Sequence, residues 1–130
     1  MGMVRFATLS DGTVCPTWNT FRRYAADLGK AQQAMSRKKK KFSKNWKRAK
    51  AKVQRIHVRM ANARWDYLHK TSITISKSHA MVVVEDLQGK NMSRSASGTF
   101  EQPGRNVRAR AGLNRSILDQ GWAEFRRQLA

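Results

Sequence analysis

Met81-Val82-Val83-Val84-Glu85-Asp86-Leu87 is the stretch of this sequence that decides the expected fold. Four apolar residues, three of them β-branched, are followed at once by two carboxylates. A short apolar run of this kind is typical of a strand that helices cover on both faces. Ligands of open α/β sheets gather beyond the carboxyl ends of the strands, where Glu85 would lie. The stretch therefore predicts a central strand over residues 80–87, with a candidate metal-binding acid at its end.

Strand-forming residues also open the chain. Residues 4–9 are strand-like, Ser10-Asp11-Gly12 is a strong turn signal, and Pro16 ends the short apolar run that follows. This pattern predicts a β-hairpin over residues 1–16.

Two helical periods separate this hairpin from the central strand. Within residues 17–78, apolar residues recur three and four positions apart, and the matching period predicts two helices that pack as an antiparallel hairpin. The first stripe is Phe21, Tyr24, Leu28, Ala31 and Met35, and the second is Trp46, Ala49, Val53, Ile56, Met60, Ala63 and Tyr67.

The composition changes after Leu87. Residues 88–115 are rich in Gly, Ser and cations, which predicts a long loop. Residues 116–130 predict a C-terminal helix with Ser116 as its N-cap. Its apolar face would consist of Leu118, Trp122, Phe125 and Leu129.

The charge balance points to a polyanionic partner. The 130 residues suit one domain, and 27 Lys and Arg against 8 Asp and Glu give a formal net charge of +19. Nucleic acid is the first candidate, because each neutralised phosphate releases condensed counterions. An anionic membrane is the second, and it is disfavoured because no stretch approaches the roughly 20 apolar residues of a spanning helix. The single cysteine, Cys15, excludes an internal disulfide and a thiolate zinc site, which fits a reducing cytoplasm.

The cations are concentrated in the predicted helical hairpin. Fourteen Lys or Arg and no acid lie between Lys30 and Arg64. A charge run is usually only a solvated face, but one sign over this length favours contact with nucleic acid. The predicted phosphate-binding residues are Arg37, Lys38, Lys39, Lys40, Lys41, Lys44, Lys47, Arg48, Arg55, Arg59 and Arg64.

Glu85 is the one persuasive catalytic candidate. Nucleases that use two Mg²⁺ ions need several carboxylates that converge from strand ends and a neighbouring helix. The residues alone leave a second interpretation open, in which one carboxylate of the Glu85-Asp86 pair caps a turn and the other is solvated. No Ser or Cys nucleophile has a convincing base, and the glycines form no phosphate-cradling motif, so no small-molecule substrate is indicated.

Five blocks of sequence, in order and at their spacing, carry a family resemblance. They are residues 5–12, 36–40, 56–70, 83–87 and 116–129. Together they resemble the OrfB/TnpB family of transposon-encoded proteins, which are relatives of the type V CRISPR effectors. The resemblance implies an α/β fold, a partial RuvC-type sheet of the RNase H-like fold with a long antiparallel helical hairpin inserted between strands.

The resemblance also implies a chemistry. A guide RNA directs cleavage of DNA, and three acids hold Mg²⁺, the second of which falls on Glu85. The first acid would lie just before Met1, and the third, with its zinc-binding Cys pairs, beyond Ala130. The expectation is therefore a truncated RuvC-like nuclease domain over residues 1–130, with DNA and guide RNA as partners and a nucleoid-associated, cytoplasmic location.

Three functional hypotheses follow. The first is a fragment of a transposase and RNA-guided DNA endonuclease that keeps one of three Mg²⁺-binding acids. The alternative is a catalytically inactive remnant that binds nucleic acid through the basic hairpin. The third is the unstable product of a decayed reading frame.

Overall fold

The computed structural model describes residues 1–130, and about 60% of them lie in helices. The chain divides into two compact units, residues 1–19 with 66–130 (unit 1) and residues 20–65 (unit 2). The fold is a mixed α/β one, as predicted. Its elements are β1 (Arg5–Thr8), β2 (Val14–Pro16), α1 (Thr20–Ser36), α2 (Lys44–Ser78), α3 (Gly89–Met92), α4 (Val107–Gln120) and α5 (Trp122–Leu129).

The two strands form the antiparallel hairpin that the sequence predicts. Thr8 pairs with Val14 in a two-stranded sheet. Asp11 accepts a hydrogen bond from the Thr13 N–H at 2.8 Å, and Gly12 has φ of 87°. An Asp side chain bound to the backbone two residues on, followed by a glycine in the left-handed region, closes a tight turn without a steric penalty.

An aromatic cluster holds unit 1 together. Phe6 is 1% exposed, and its ring meets Tyr67 at a centroid distance of 5.4 Å and Phe125 at 4.9 Å, both edge to face. Edge-to-face pairs place the positive ring edge over the negative face and add to the burial of apolar area. The other buried members of this core are Ala7, Leu68, Ile75, Ile117 and Trp122.

The helical hairpin of unit 2 packs along the predicted stripes. Leu28 of α1 is buried with Val53 and Met60 of α2. The half-buried residues around them are Phe21, Tyr24, Ala31, Met35 and Ile56. The alternation of three and four residues was therefore a correct guide to which faces meet.

The predicted central strand over residues 80–87 is not formed. Residues 81–88 belong to no strand or helix, and the sheet consists of β1 and β2. Met81 is 80% and Val83 87% exposed, whereas Val82 and Val84 are half-buried. The side chains alternate as in a strand, but only one face is covered. The prediction was wrong because an apolar run indicates only that its side chains tend to be buried. It does not indicate a neighbouring strand that could form hydrogen bonds with its backbone.

The predicted loop over residues 88–115 contains the short helix α3 and the start of α4. α4 begins at Val107, after Asn106 in the left-handed region with φ of 54°. Ser116 therefore lies inside α4, where its hydroxyl donates to the Gly112 carbonyl at 3.2 Å, and its assignment as an N-cap was wrong. The Arg and Ala residues around Gly112 are good helix formers, and they outweigh the single glycine.

The predicted C-terminal helix over residues 116–130 is two helices. Gly121, with φ of 71°, ends α4 and precedes α5. Trp122 and Phe125 are buried as predicted, whereas Leu118 is 63% exposed. The break at Gly121 turns Leu118 away from the apolar face of α5, because residues on either side of a left-handed glycine no longer share one helical period.

Candidate nucleic-acid interface

The predicted phosphate-binding residues all lie in unit 2. Ten of the eleven are exposed, and Arg64 is half-buried. We call them together the basic surface. Arg37 to Lys41 occupy the connector between α1 and α2, and the others lie on α2: Lys44, Lys47, Arg48, Arg55, Arg59 and Arg64.

Four cations of α2 share a face. At 100° per residue, Lys44, Arg48, Arg55 and Arg59 fall within an arc of about 60° around the helix. The buried Val53 and Met60 lie about 100–120° from the edge of that arc, and the half-buried Ile56 lies about 60° from it. The helix therefore presents a row of positive charge away from its buried residues Val53 and Met60, which is the arrangement that a phosphate backbone can follow.

Arg64 departs from this row. By the same helical geometry it lies close to the apolar face of α2, about 170° from the centre of the arc, which agrees with its half-buried side chain. Lys47 lies on the other flank, about 90° from that centre. The row is therefore formed best by Lys44, Arg48, Arg55 and Arg59.

Ser43 fixes the end of the connector. Its hydroxyl donates to the Lys40 carbonyl at 2.9 Å and accepts the Trp46 N–H at 3.2 Å. A serine that accepts an N–H of the first helical turn is an N-cap, and it begins α2 at Lys44. The five cations of the connector thus lead directly into the cationic row of the helix.

Two aromatic rings accompany the cations at this end of the hairpin. Phe42 is 72% exposed, and its centroid lies 5.2 Å from that of Trp46. Lys50 Nζ lies 5.4 Å from the Trp46 ring centroid. Trp46 was expected in the hairpin core, but it is half-buried and lies outside the buried cluster. The sequence signal for this cluster is an aromatic residue inside a run of cations.

The two adjacent carboxylates in unit 1 are bound to separate cations. Glu85 Oε2 accepts from the ammonium group of Met1 at 3.1 Å. Asp86 accepts from Arg126 at 2.5 Å and from Gln88 at 3.0 Å. Sequence reasoning missed the Asp86–Arg126 pair, because 40 residues separate its members and no local period connects them.

These carboxylates do not fit a Mg²⁺ site within this chain. Mg²⁺ requires near-octahedral oxygen ligands, and a two-metal centre needs several converging carboxylates. No group of three or more His, Cys, Asp or Glu residues is placed to hold a metal ion. Glu85 and Asp86 are joined by no third acid, so the donor set is too small for the ion that the resemblance implies.

The environment of Cys15 disfavours its thiolate form. Partial burial raises the pKa of the Cys15 thiol, and the negative charge of Asp11 raises it further. The hydrogen bond from the Thr13 N–H lowers the pKa of Asp11, which keeps that charge in place. Burial raises the pKa of Tyr67, whose hydroxyl donates to the Pro16 carbonyl. Neither Cys15 nor Tyr67 is activated as a nucleophile or base.

The family model described as "Probable transposase", OrfB_IS605, matches residues 1–96. The chain belongs to this family. The match confirms the resemblance that the five sequence blocks indicated. None of the helices is long and apolar enough to cross a bilayer.

Two curated relatives of this OrfB_IS605 chain carry names that describe an activity. One is the "Putative RNA-guided DNA endonuclease InsQ" of Escherichia coli (strain K12), which is 58% identical over 129 residues, covering 99% of this chain and 32% of that protein. The other is a "Putative RNA-guided DNA endonuclease" of Streptomyces pristinaespiralis, 35% identical over 128 residues, covering 98% of this chain and 28% of the relative. The chain spans about a third of the length of these relatives.

Proposed function

We propose that this OrfB_IS605 chain is the nucleic-acid-binding part of an RNA-guided DNA endonuclease involved in transposition. The names of two relatives that align over nearly the whole chain support this proposal. DNA and a guide RNA are the proposed partners, and the proposed location is on DNA in the cytoplasm. In this proposal the chain forms a portion of a RuvC-type domain of the RNase H-like fold, and α1 and α2 form its inserted helical hairpin.

The row of cations on α2 is the observation that carries the proposal. Lys44, Arg48, Arg55 and Arg59 share an arc of about 60° that lies away from the apolar contact with α1. A solvated helix gains a few tenths of a kcal/mol from each i,i+4 pair of opposite charges. Residues 30–64 contain no acid, so this part of the chain has no such pairs and is suited to an anionic partner.

We propose that Glu85 is one of the Mg²⁺-binding acids of the longer proteins in this family. Its side chain is 60% exposed and accessible from solvent. The donor set of this chain is too small to hold the ion, so the 130 residues alone are not expected to cut DNA.

The small donor set and the Asp86–Arg126 ion pair favour a second candidate function, in which the chain binds nucleic acid without catalysis. Arg126 forms an ion pair with Asp86, and no third acid joins Glu85 and Asp86. Both candidates predict no cleavage of DNA by the purified 130 residues, so a cleavage assay with Mg²⁺ tests the donor-set argument that they share. Cleavage by the purified chain that persists in the Glu85→Ala variant would show that Glu85 is not the metal-binding acid.

The salt dependence of binding tests the role of the basic surface. The affinity of the chain for duplex DNA should fall steeply as the salt concentration rises. In a plot of log binding constant against log salt concentration, each phosphate contact should contribute about −0.9 to the slope. Replacing Lys38, Lys39, Lys40 and Lys41 by Gln should reduce that slope by up to about 3.6. Fluorescence anisotropy with a labelled duplex, at several salt concentrations, measures both quantities.

A matched control removes the same charge from unit 1. Four of its exposed cations, Lys77, Lys90, Arg94 and Arg105, are all replaced by Gln. This control should keep the slope of the unmodified chain, because these residues lie outside the basic surface. Equal loss of slope in the two variants would mean that net charge alone attracts the DNA, and the basic surface would lose its assigned role.

A further inference from the structure

Phe42 is held in an unusual state at the end of the helical hairpin. Its φ is 65°, in the left-handed region, and its side chain is 72% exposed. Residues other than glycine rarely adopt this conformation, and bulky ones least of all. A strained backbone conformation persists only where the surrounding structure holds it in place. Residues in such conformations cluster at functional sites.

The Phe42 ring packs against Trp46, which also contacts a cation. The ring packs against Trp46 at 5.2 Å with an interplanar angle of 54°. Lys50 Nζ lies 5.4 Å from the centroid of Trp46, within the distance of a cation–π contact. Trp46 thus contacts both Phe42 and Lys50, and the Phe42 ring remains open to solvent.

Exposed lysines flank Phe42 in the sequence. Lys40 and Lys41 precede Phe42 directly, Lys44 follows it, and all three are exposed. A cationic groove or surface with exposed aromatic rings is the usual arrangement for binding single-stranded nucleic acid, because the cations follow the backbone and the rings stack on the bases.

We propose that Phe42 and its flanking lysines form a binding site for unpaired nucleotides, in which a base stacks on the Phe42 ring. This inference rests on the proposed function. The bases of a duplex are stacked on one another and show only their edges in the grooves, so an exposed ring cannot stack on them. An unpaired base has a free π-face, and stacking is tolerant of base and sugar type, so both single-stranded RNA and single-stranded DNA should bind.

A purely structural role for Phe42 makes a different prediction. If the ring only covers Trp46, then Leu at position 42 would cover it nearly as well, and a loss of the ring would act through stability. If the ring stacks on a base, Phe42→Leu should lose binding to single strands while the helix content and melting temperature stay close to those of the unmodified chain. Phe42→Tyr keeps the aromatic face and should keep that binding.

The experiment measures the affinity of the 130-residue chain for three labelled probes of one sequence. They are a single-stranded RNA, a single-stranded DNA and a DNA duplex. Fluorescence anisotropy at constant salt measures the binding of each probe. The variants are Phe42→Ala, Phe42→Leu and Phe42→Tyr. Phe100→Ala is the matched control, because Phe100 is fully exposed in unit 1.

Phe42→Ala and Phe42→Leu should weaken both single-strand affinities by about 5- to 150-fold, the range that base–aromatic stacking supports. Their duplex affinity should change less than twofold, and their salt slope should not change, because no charge is removed. Phe100→Ala should change none of these values.

Two outcomes would overturn the inference. One is that the Phe42→Leu and Phe100→Ala variants bind single strands equally well. The other is that Phe42→Leu weakens binding to single strands and duplex by the same factor. The proposed function fails separately: it fails if the Gln substitutions at residues 38–41 leave the salt slope on duplex DNA unchanged, whatever the Phe42 variants do.

Discussion

Replacing Phe6 by alanine should remove a large part of the stability of unit 1. The side chain is 1% exposed and contacts Tyr67 and Phe125 edge to face. Phe-to-Ala changes in a packed core cost about 3–5 kcal/mol, and each aromatic pair contributes about 0.5–1.5 kcal/mol beyond buried area. We therefore expect a loss of about 4 kcal/mol, against a total stability of about 5–15 kcal/mol for a typical domain.

Urea denaturation followed by tryptophan fluorescence measures this loss. With a denaturant slope of about 2 kcal/mol per M, the unfolding midpoint of Phe6→Ala should fall by about 2 M. Phe6→Leu keeps most of the apolar volume but loses both ring contacts, so its midpoint should fall by about 0.5–1.5 M.

Phe42→Ala is the internal control, since it deletes the same atoms from a side chain that is 72% exposed. Surface substitutions usually change stability by less than about 0.5 kcal/mol. If the midpoints of Phe6→Ala and Phe42→Ala lie within about 0.5 M of one another, the Phe6 cluster is not the core of unit 1 and the argument is refuted.

Three further predictions concern backbone and pH. A Cβ at Gly104 would lie 1.5 Å from the Ala96 carbonyl oxygen, so Gly104→Ala should force the loop of residues 96–104 open. Hydrogen exchange should then be faster over residues 96–104, with little change in the helices. Gly121 has φ of 71°, so Gly121→Ala should lower the free energy of unfolding by about 1–2 kcal/mol, measurable in urea, and an unchanged value would argue against the left-handed break. The Thr13 N–H lowers the folded-state pKa of Asp11, so its contribution to stability is present above the unfolded pKa of about 3.9 and is lost as the pH falls through the folded pKa. Asp11→Asn should therefore be less stable than the unmodified chain near pH 6, and the difference should shrink below about pH 4 in a pH series of unfolding curves.

Local periodicity was sufficient to predict the helical hairpin. The positions of Leu28, Val53 and Met60 followed from a repeat of three and four residues, because the same residues must face the partner helix whatever surrounds them. The β-hairpin followed from its turn, in which Asp11 and Gly12 have a direct stereochemical role.

Features that depend on distant partners could not be predicted in this way. Residues 81–87 have the composition of a buried strand, but strand formation needs a neighbour to pair with, and composition cannot show one. The Asp86–Arg126 contact and the left-handed backbone of Phe42 are likewise fixed by surroundings rather than by sequence period. The sequence therefore predicted which cations form the candidate nucleic-acid interface, but it did not predict how their side chains and the Phe42 ring are arranged.

The surface of single-sign charge on the hairpin also links folding to ligand concentration. Like charges on α2 repel one another in the folded hairpin and are farther apart in the unfolded chain, so any polyanion that binds the folded form acts as a stabiliser by mass action. At a free ligand concentration of 100 Kd, this linkage contributes about 2.7 kcal/mol, a substantial fraction of the stability of a small domain. The thermal midpoint of this chain is thus a property of the chain together with its counterions, and it should be compared only between samples with the same anions.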